Sequence, residues 1–181
     1  MTLDPATDVR LPSLAVLGTV DRAGRTTAAA RLVRGLKRAG LSVGAIRLNG
    51  RRSGHGYWSM VDAGASPILD VGDQGARLRG PRLGEAAAVL LDRLAMGRTD
   101  VAVVELEREL FDAGALKTLA SEALSARLVG VLLTAPDPSA AGYATGWLRR
   151  WGVPVVAVSG AGDRASDHAA RDGAAVGRAC A

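Results

Sequence analysis

Gly24, Arg25 and Thr26 stand where an apolar run gives way to an Ala- and Leu-rich stretch. The run, Leu14 to Leu17, closes at Gly18, and a short loop leads to Gly24. A strand, a Gly-bounded loop and a helix in that order make a cradle for an anion. Backbone N–H groups at the helix start would point at it, and the positive end of the helix dipole adds attraction. The phosphate-binding pattern is Gly, four residues, then Gly-Lys-Ser/Thr. Here Thr19 is followed by four residues and Gly24-Arg25-Thr26, so Gly18 comes one residue early and Arg25 replaces the lysine. On this pattern the N–H groups of Ala23 to Thr27 hold a β-phosphate and the Thr26 hydroxyl sits on Mg²⁺. Gly18, Thr19, Ala23, Gly24, Arg25, Thr26 and Thr27 are the candidate cofactor-binding residues. Arg25 keeps the lysine's charge but is larger, planar and forked. It can grip phosphate bidentately, so binding is expected to tolerate the exchange better than catalysis.

Further candidates follow other apolar runs. Glu105 ends the run Val101 to Val104, where an acid can hold a magnesium-bound water or polarise a nucleophile. It is paired with Thr26 as the expected metal site and with Arg25 as the expected catalytic pair; Asp21 is a weaker metal candidate. Arg47 ends another run and opens the loop Asn49 to Gly56, rich in Gly and Arg. Its functional reading is a substrate or phosphate clamp using Arg47, Ser53 and His55; the alternative is a solvated connection. Asp73, in the loop Asp70 to Gly75, completes the substrate-binding candidates.

These residues need a scaffold that brings strand ends together. Apolar strands are expected at 14–17, 41–48, 67–71, 100–106, 128–134 and 153–158. Helices are expected at 25–39, 57–64, 83–96, 112–125, 139–151 with Ser139 as its cap, and from 163 to the end. Such alternation predicts a three-layer α/β domain, a mostly parallel sheet of about six strands with helices on both faces. Ligands in such sheets bind beyond the carboxyl ends of the strands, where all the candidate loops emerge. Trp58 and Met60 are expected to pack. Tyr143, Trp147 and Trp151 fall four apart on one helix face and are expected in the core, with a dimer interface as the alternative. Arg31, Arg34 and Arg38 form a basic stripe expected to be solvated.

The Gly-Thr-x-x-x-Ala-Gly-x-Thr-Thr pattern at Gly18, Thr19, Ala23, Gly24, Thr26 and Thr27 resembles the loop of dethiobiotin-synthetase-like P-loop NTPases. It resembles the P-loop domain of the DUF1611 family more closely. That likeness continues through Ser53-Gly54, Tyr57-Trp58, Met60, Asp62 to Ala65 and Leu69-Asp70, less than half of the chain. The resemblance implies a P-loop NTPase-like fold with ATP and Mg²⁺ as cofactors and Glu105 near metal or nucleotide. The dethiobiotin-synthetase likeness implies ATP-dependent phosphorylation of a small carboxylate or carbamate. The DUF1611 likeness implies acyl transfer to an amino acid, with the loop holding coenzyme A phosphates. The replaced lysine leaves a third reading open, a non-catalytic nucleotide-binding regulatory subunit.

Composition bounds these readings. The 181 residues suit one domain, read as residues 13–181 behind a loose arm at 1–12. Hydrophobic residues make up 48% and aromatics 3%, so a core of Ala, Val and Leu is expected. Arg, Ala and Gly are abundant, as in a bacterial high-GC genome. A net charge of +5 and a pI near 10.3 permit acidic partners such as nucleotides. One basic stripe without an aromatic platform beside it does not make a nucleic-acid surface, and no nucleic-acid partner is expected. Cys180 is the only cysteine, which excludes an intramolecular disulfide or a Cys-based zinc site. No run approaches a membrane span, and a cytoplasmic protein is expected. The partners expected are a nucleotide and a small-molecule substrate, with a homodimer or partner protein as a possibility.

Overall fold

The computed structural model describes residues 10–48, 54–72 and 77–160. Ser53, Asp73, most of the 49–56 loop, Cys180 and the expected last helix lie outside the described residues. Six strands are present: β1 (Ser13–Gly18), β2 (Val43–Arg47), β3 (Ile68–Asp70), β4 (Val101–Glu109), β5 (Leu128–Ala135) and β6 (Val155–Gly160). They form one sheet in the order β3-β2-β4-β1-β5-β6. Every pairing is parallel, so the sheet is wholly rather than mostly parallel. The apolar central strands suit it, since both of their faces are covered.

Side chains alternate along each strand between two cores. Val16, Val43, Ala45, Val101 and Val103 meet α1 (Arg25–Arg38) and α2 (His55–Asp62) through Ala29, Val33 and Met60. On the other face Leu17, Ile46, Val104 and Leu106 meet α3 (Pro81–Ala95), α4 (Ala113–Leu119), α5 (Glu122–Ser125) and α6 (Pro138–Arg150). Leu91, Leu94, Leu119 and Leu148 fill that second core, which supplies the volume that aromatics would otherwise provide. The three-layer expectation is met. No helix among the described residues is long and apolar enough to cross a membrane.

Several local expectations are corrected. The helix expected over 112–125 is two helices, because Ser121 is extended (φ −61°, ψ 137°) and its hydroxyl donates to the Thr118 carbonyl at 2.8 Å. The cap of α6 is Asp137, not Ser139: its Oδ1 accepts the Ala140 N–H at 2.9 Å, and Pro138 takes the first helical position. Asp137→Ala is expected to cost about 1 kcal/mol, read as a lower midpoint in urea denaturation. Val153 N–H bonds the Leu148 carbonyl and closes α6, which delays β6 to Val155. Leu11 is in the core and the Pro12 carbonyl accepts Ala102 N–H, so these two residues, expected in the arm, pack with the sheet.

The aromatic residues are also less buried than expected. Trp58 is 58% exposed, on the face of α2 opposite to buried Met60, and touches only the edge of Tyr57 among aromatic rings. Tyr143 is 69% exposed and Trp151 is also exposed; only Trp147 leans on the core. Helix α6 buries the narrow side carrying Ala144 and Leu148, which turns the aromatic row to its flank. There Trp147 stacks on Phe111 at a centroid distance of 4.8 Å. The Arg31, Arg34 and Arg38 stripe is exposed, as expected.

Candidate phosphate site

The loop is built from β1 outward. At its base the Gly18 carbonyl accepts Leu110 N–H and the Thr19 N–H reaches the Thr134 carbonyl, at 2.8 and 2.9 Å. The chain is thereby held to both neighbouring strands. It then turns through Arg22 (φ 56°) and Gly24 (φ 85°) into α1. Arg22 is the one described non-glycine residue at positive φ, a conformation that costs a β-carbon residue energy and marks a constrained turn.

The amides divide into two sets. Asp21 N–H bonds Glu109 Oε1, Arg22 N–H bonds Asp21 Oδ1, and Ala23 N–H reaches the Val20 carbonyl at 3.4 Å. The expected cradle therefore loses Ala23. The first N–H bonded within the helix is that of Ala28, to the Gly24 carbonyl. Among the described residues, no acceptor meets the amides of Gly24, Arg25, Thr26 and Thr27. These are the four orphan donors of a helix start, and they line a cavity of about 400 Å³ with the side chains of Asp21, Arg22, Arg25 and Glu105.

Arg25 lies across the loop. Its aliphatic stem passes over Gly18, where a β-carbon would come within 2.9 Å of Arg25 Cγ and Cδ. Nη2 pairs at 3.3 Å with Asp21, which is 74% exposed, so water screens that contact. Nη1 is buried with no hydrogen-bond partner. An unpartnered buried cationic nitrogen is costly, and an anion in the cavity removes the cost.

Thr26 and Glu105 come together as expected. The Thr26 hydroxyl donates to Glu105 Oε1 at 2.9 Å. Glu105 Oε2 accepts from Arg47 Nε at 3.0 Å, with Glu105 1% and Arg47 4% exposed. Strand register explains the pairing, since Arg47 and Glu105 are directly aligned across β2 and β4. Arg47 was expected to reach a substrate and instead lies beneath the loop. Gly56 sits over it: a β-carbon there would lie 2.7 Å from Arg47 Nη2 and 3.4 Å from Thr26 Cγ2.

A magnesium ion fits this set poorly. The buried carboxylate that would attract it is already paired with a guanidinium.

The other expected residues are dispersed. Thr19 is buried beneath the loop and its Oγ1 has no partner. His55 is exposed at the start of α2 and does not line the cavity. Sequence reasoning missed Arg22, which lines it, and Glu109, whose carboxylate holds the Asp21 amide. Nothing in a linear pattern marks either one, because the Arg22 turn and the approach of β4 to Asp21 are set by the folded chain. A larger hollow of about 780 Å³ lies at the ends of β5 and β6, lined mainly by Pro136, Pro138, Ala141, Gly142 and Val158. Its polar lining is Asp137, Thr145 and Arg149.

No family model matches the chain, and no curated protein matches it. Solved structures do. The kinase domain of Escherichia coli tyrosine kinase ETK superposes with a TM-score of 0.57 at 16% identity, over 88% of this chain and 71% of that one. The signal recognition particle receptor FtsY from Elizabethkingia anophelis gives 0.56 at 18% identity, over 83% and 50%. The fold is that of the P-loop NTPases. Chloroplast FtsY from Physcomitrella patens gives 0.53 at 16% identity, over 87% and 61%. The chain thus spans half to about seven-tenths of the length of these structures. The finer likeness to dethiobiotin synthetase and DUF1611 rests on the sequence patterns between Gly18 and Asp70 alone.

Proposed function

We propose that the chain binds a nucleotide through its polyphosphate, ATP being the expected one, in the cradle formed by Gly24 to Thr27. The observation that carries this reading is Arg25 Nη1, buried without a partner beside four unbonded amides in one cavity. An anion with several oxygens satisfies the guanidinium and the helix start together. A related FtsY structure is a complex with GDP, in keeping with a nucleotide ligand for this fold.

Binding without turnover is favoured over ATP-dependent ligase, phosphotransferase or acyltransferase chemistry. Glu105 already has an oxygen on Thr26 and an oxygen on Arg47, and among the described residues the other carboxylate lining the cavity, Asp21, is exposed. A regulatory or partner subunit follows from this reading. Robust ATP turnover by the wild type, lost in Thr26→Ala, would overturn it.

The test is the thermal shift with ATP, GTP and acetyl-CoA, followed by calorimetric titration of the best ligand. At a hundredfold excess over Kd a ligand adds about 2.7 kcal/mol. Arg25→Ala is expected to weaken nucleotide binding by roughly 1.5–3 kcal/mol, or about 10- to 150-fold. Arg25→Lys is expected to retain most of the affinity. Equal Kd values for wild type and Arg25→Ala would show that the cradle is not the binding site. Stabilisation by acetyl-CoA alone would favour the acyltransferase.

A further inference from the structure

The Arg47 guanidinium lies between two parts of the site. On one side Nε donates to Glu105, and on the other Gly56 at the start of α2 closes over Nη2. Any side chain at 56 would press on it, so the glycine allows the helix to begin directly above the ion pair.

Both members of the pair are almost fully buried. In such a setting an ion pair is poorly screened, and its partners respond strongly to any third charge. A divalent cation at the Thr26 hydroxyl would need the negative charge of Glu105 and would meet the positive charge of Arg47 with it. The cavity repeats this balance. Arg22 and Arg25 line it with Asp21 and Glu105, and Arg47 lies beneath. Outside the cavity lining, Glu109 bonds the Asp21 amide and Asp70 is aligned with Arg47 across β2 and β3, but the carboxylate in contact with Thr26 is Glu105, and its second oxygen is taken by Arg47.

We infer that Arg47 supplies at Glu105 the counter-charge that a divalent cation supplies in metal-dependent phosphate sites, so that the cradle takes its polyphosphate without magnesium. This inference rests on the proposed nucleotide reading and adds the ionic form of the ligand. The bound species is the free polyphosphate, whose oxygens meet Arg25, Arg22 and the amides of Gly24 to Thr27. Arg47 is a positioning residue here. It fixes the Glu105 carboxylate, which in turn fixes the Thr26 hydroxyl at the mouth of α1.

The test is calorimetric titration of the wild type with inorganic tripolyphosphate and with ATP, each with excess magnesium and with EDTA. Magnesium ties up phosphate charge in solution, so affinity is expected to be equal or lower in its presence, within roughly threefold if equal. Binding tenfold or more tighter with magnesium would overturn the inference and leave the nucleotide reading intact. No binding of either probe under either condition would overturn both. Arg47→Met removes the counter-charge, and magnesium is expected to tighten its binding by at least about tenfold. Arg47→Lys keeps a positive charge and is expected to remain insensitive to magnesium. An Arg47→Met protein that folds and stays insensitive would also overturn the inference. Should Arg47→Met not fold, the wild-type comparison decides alone.

Discussion

Glu105→Ala is expected to lower the free energy of unfolding by roughly 3–5 kcal/mol, the range for removing one partner of a buried ion pair. The expectation follows from the burial of both groups and their 3.0 Å contact. Alanine would strand the Arg47 guanidinium under Gly56 and deprive the Thr26 hydroxyl of its acceptor. Urea denaturation reads the loss directly. The double variant Arg47→Met with Glu105→Leu removes both charges at similar volume and is expected to recover most of it, since apolar replacement of buried pairs is often neutral. A loss below about 1 kcal/mol for Glu105→Ala would mean that water reaches the pair, as it does at exposed ion pairs.

Gly84→Val is expected to cost about 3 kcal/mol, the upper part of the usual range for overpacking. Gly84 lies in the buried first turn of α3. A β-carbon there would fall 1.9 Å from Ser121 Oγ, 2.8 Å from Ser121 Cβ and 2.9 Å from the Thr118 carbonyl oxygen. The hydroxyl could rotate away, but the carbonyl belongs to the backbone at the α4–α5 junction, and that junction itself depends on the bond from Ser121 to Thr118. The change therefore pushes two helices apart. Gly142 on α6 is the control: nothing lies within 4 Å of its β-carbon position. Gly142→Ala is expected to be neutral or to stabilise by roughly 0.5–1 kcal/mol through helix propensity. Equal midpoints for wild type and Gly84→Val would mean that α3 does not pack on the α4–α5 junction as described.

The turn from β1 into α1 was legible because its signal is local. An apolar run, a glycine and a Gly-Arg-Thr helix start are adjacent in the chain, and each has its own conformational preference. The meeting of Thr26 with Glu105 was legible for a related reason. Thr26 follows β1 and Glu105 closes the apolar part of the adjacent β4, and parallel strands carry such positions toward one edge of a sheet. The helix expected over 112–125 shows the limit. Its apolar spacing continues through Ser121, but that hydroxyl bonds the Thr118 carbonyl and ends the helix.

The sequence by itself determined the alternation of strands and helices, the place of the strand-to-helix turn from Gly18 to Thr27 and the Ala, Val and Leu character of the core. These are properties of near neighbours in the chain, set by periodicity and by backbone preference. Only the tertiary structure decided the order of the strands, and with it that β1 lies between β4 and β5. It also decided the fate of Arg47. At the end of a strand that residue could face water or the core, and a linear pattern treats the two alike. The register of β2 against β4 aligns it with Glu105, and a charge beside an opposite buried charge is more stable there than alone. The aromatic row on α6 was decided in the same way. Equal spacing put three rings on one flank, but the faces of the neighbouring strands had room for Ala144 and Leu148, so Tyr143 and Trp151 stayed in water.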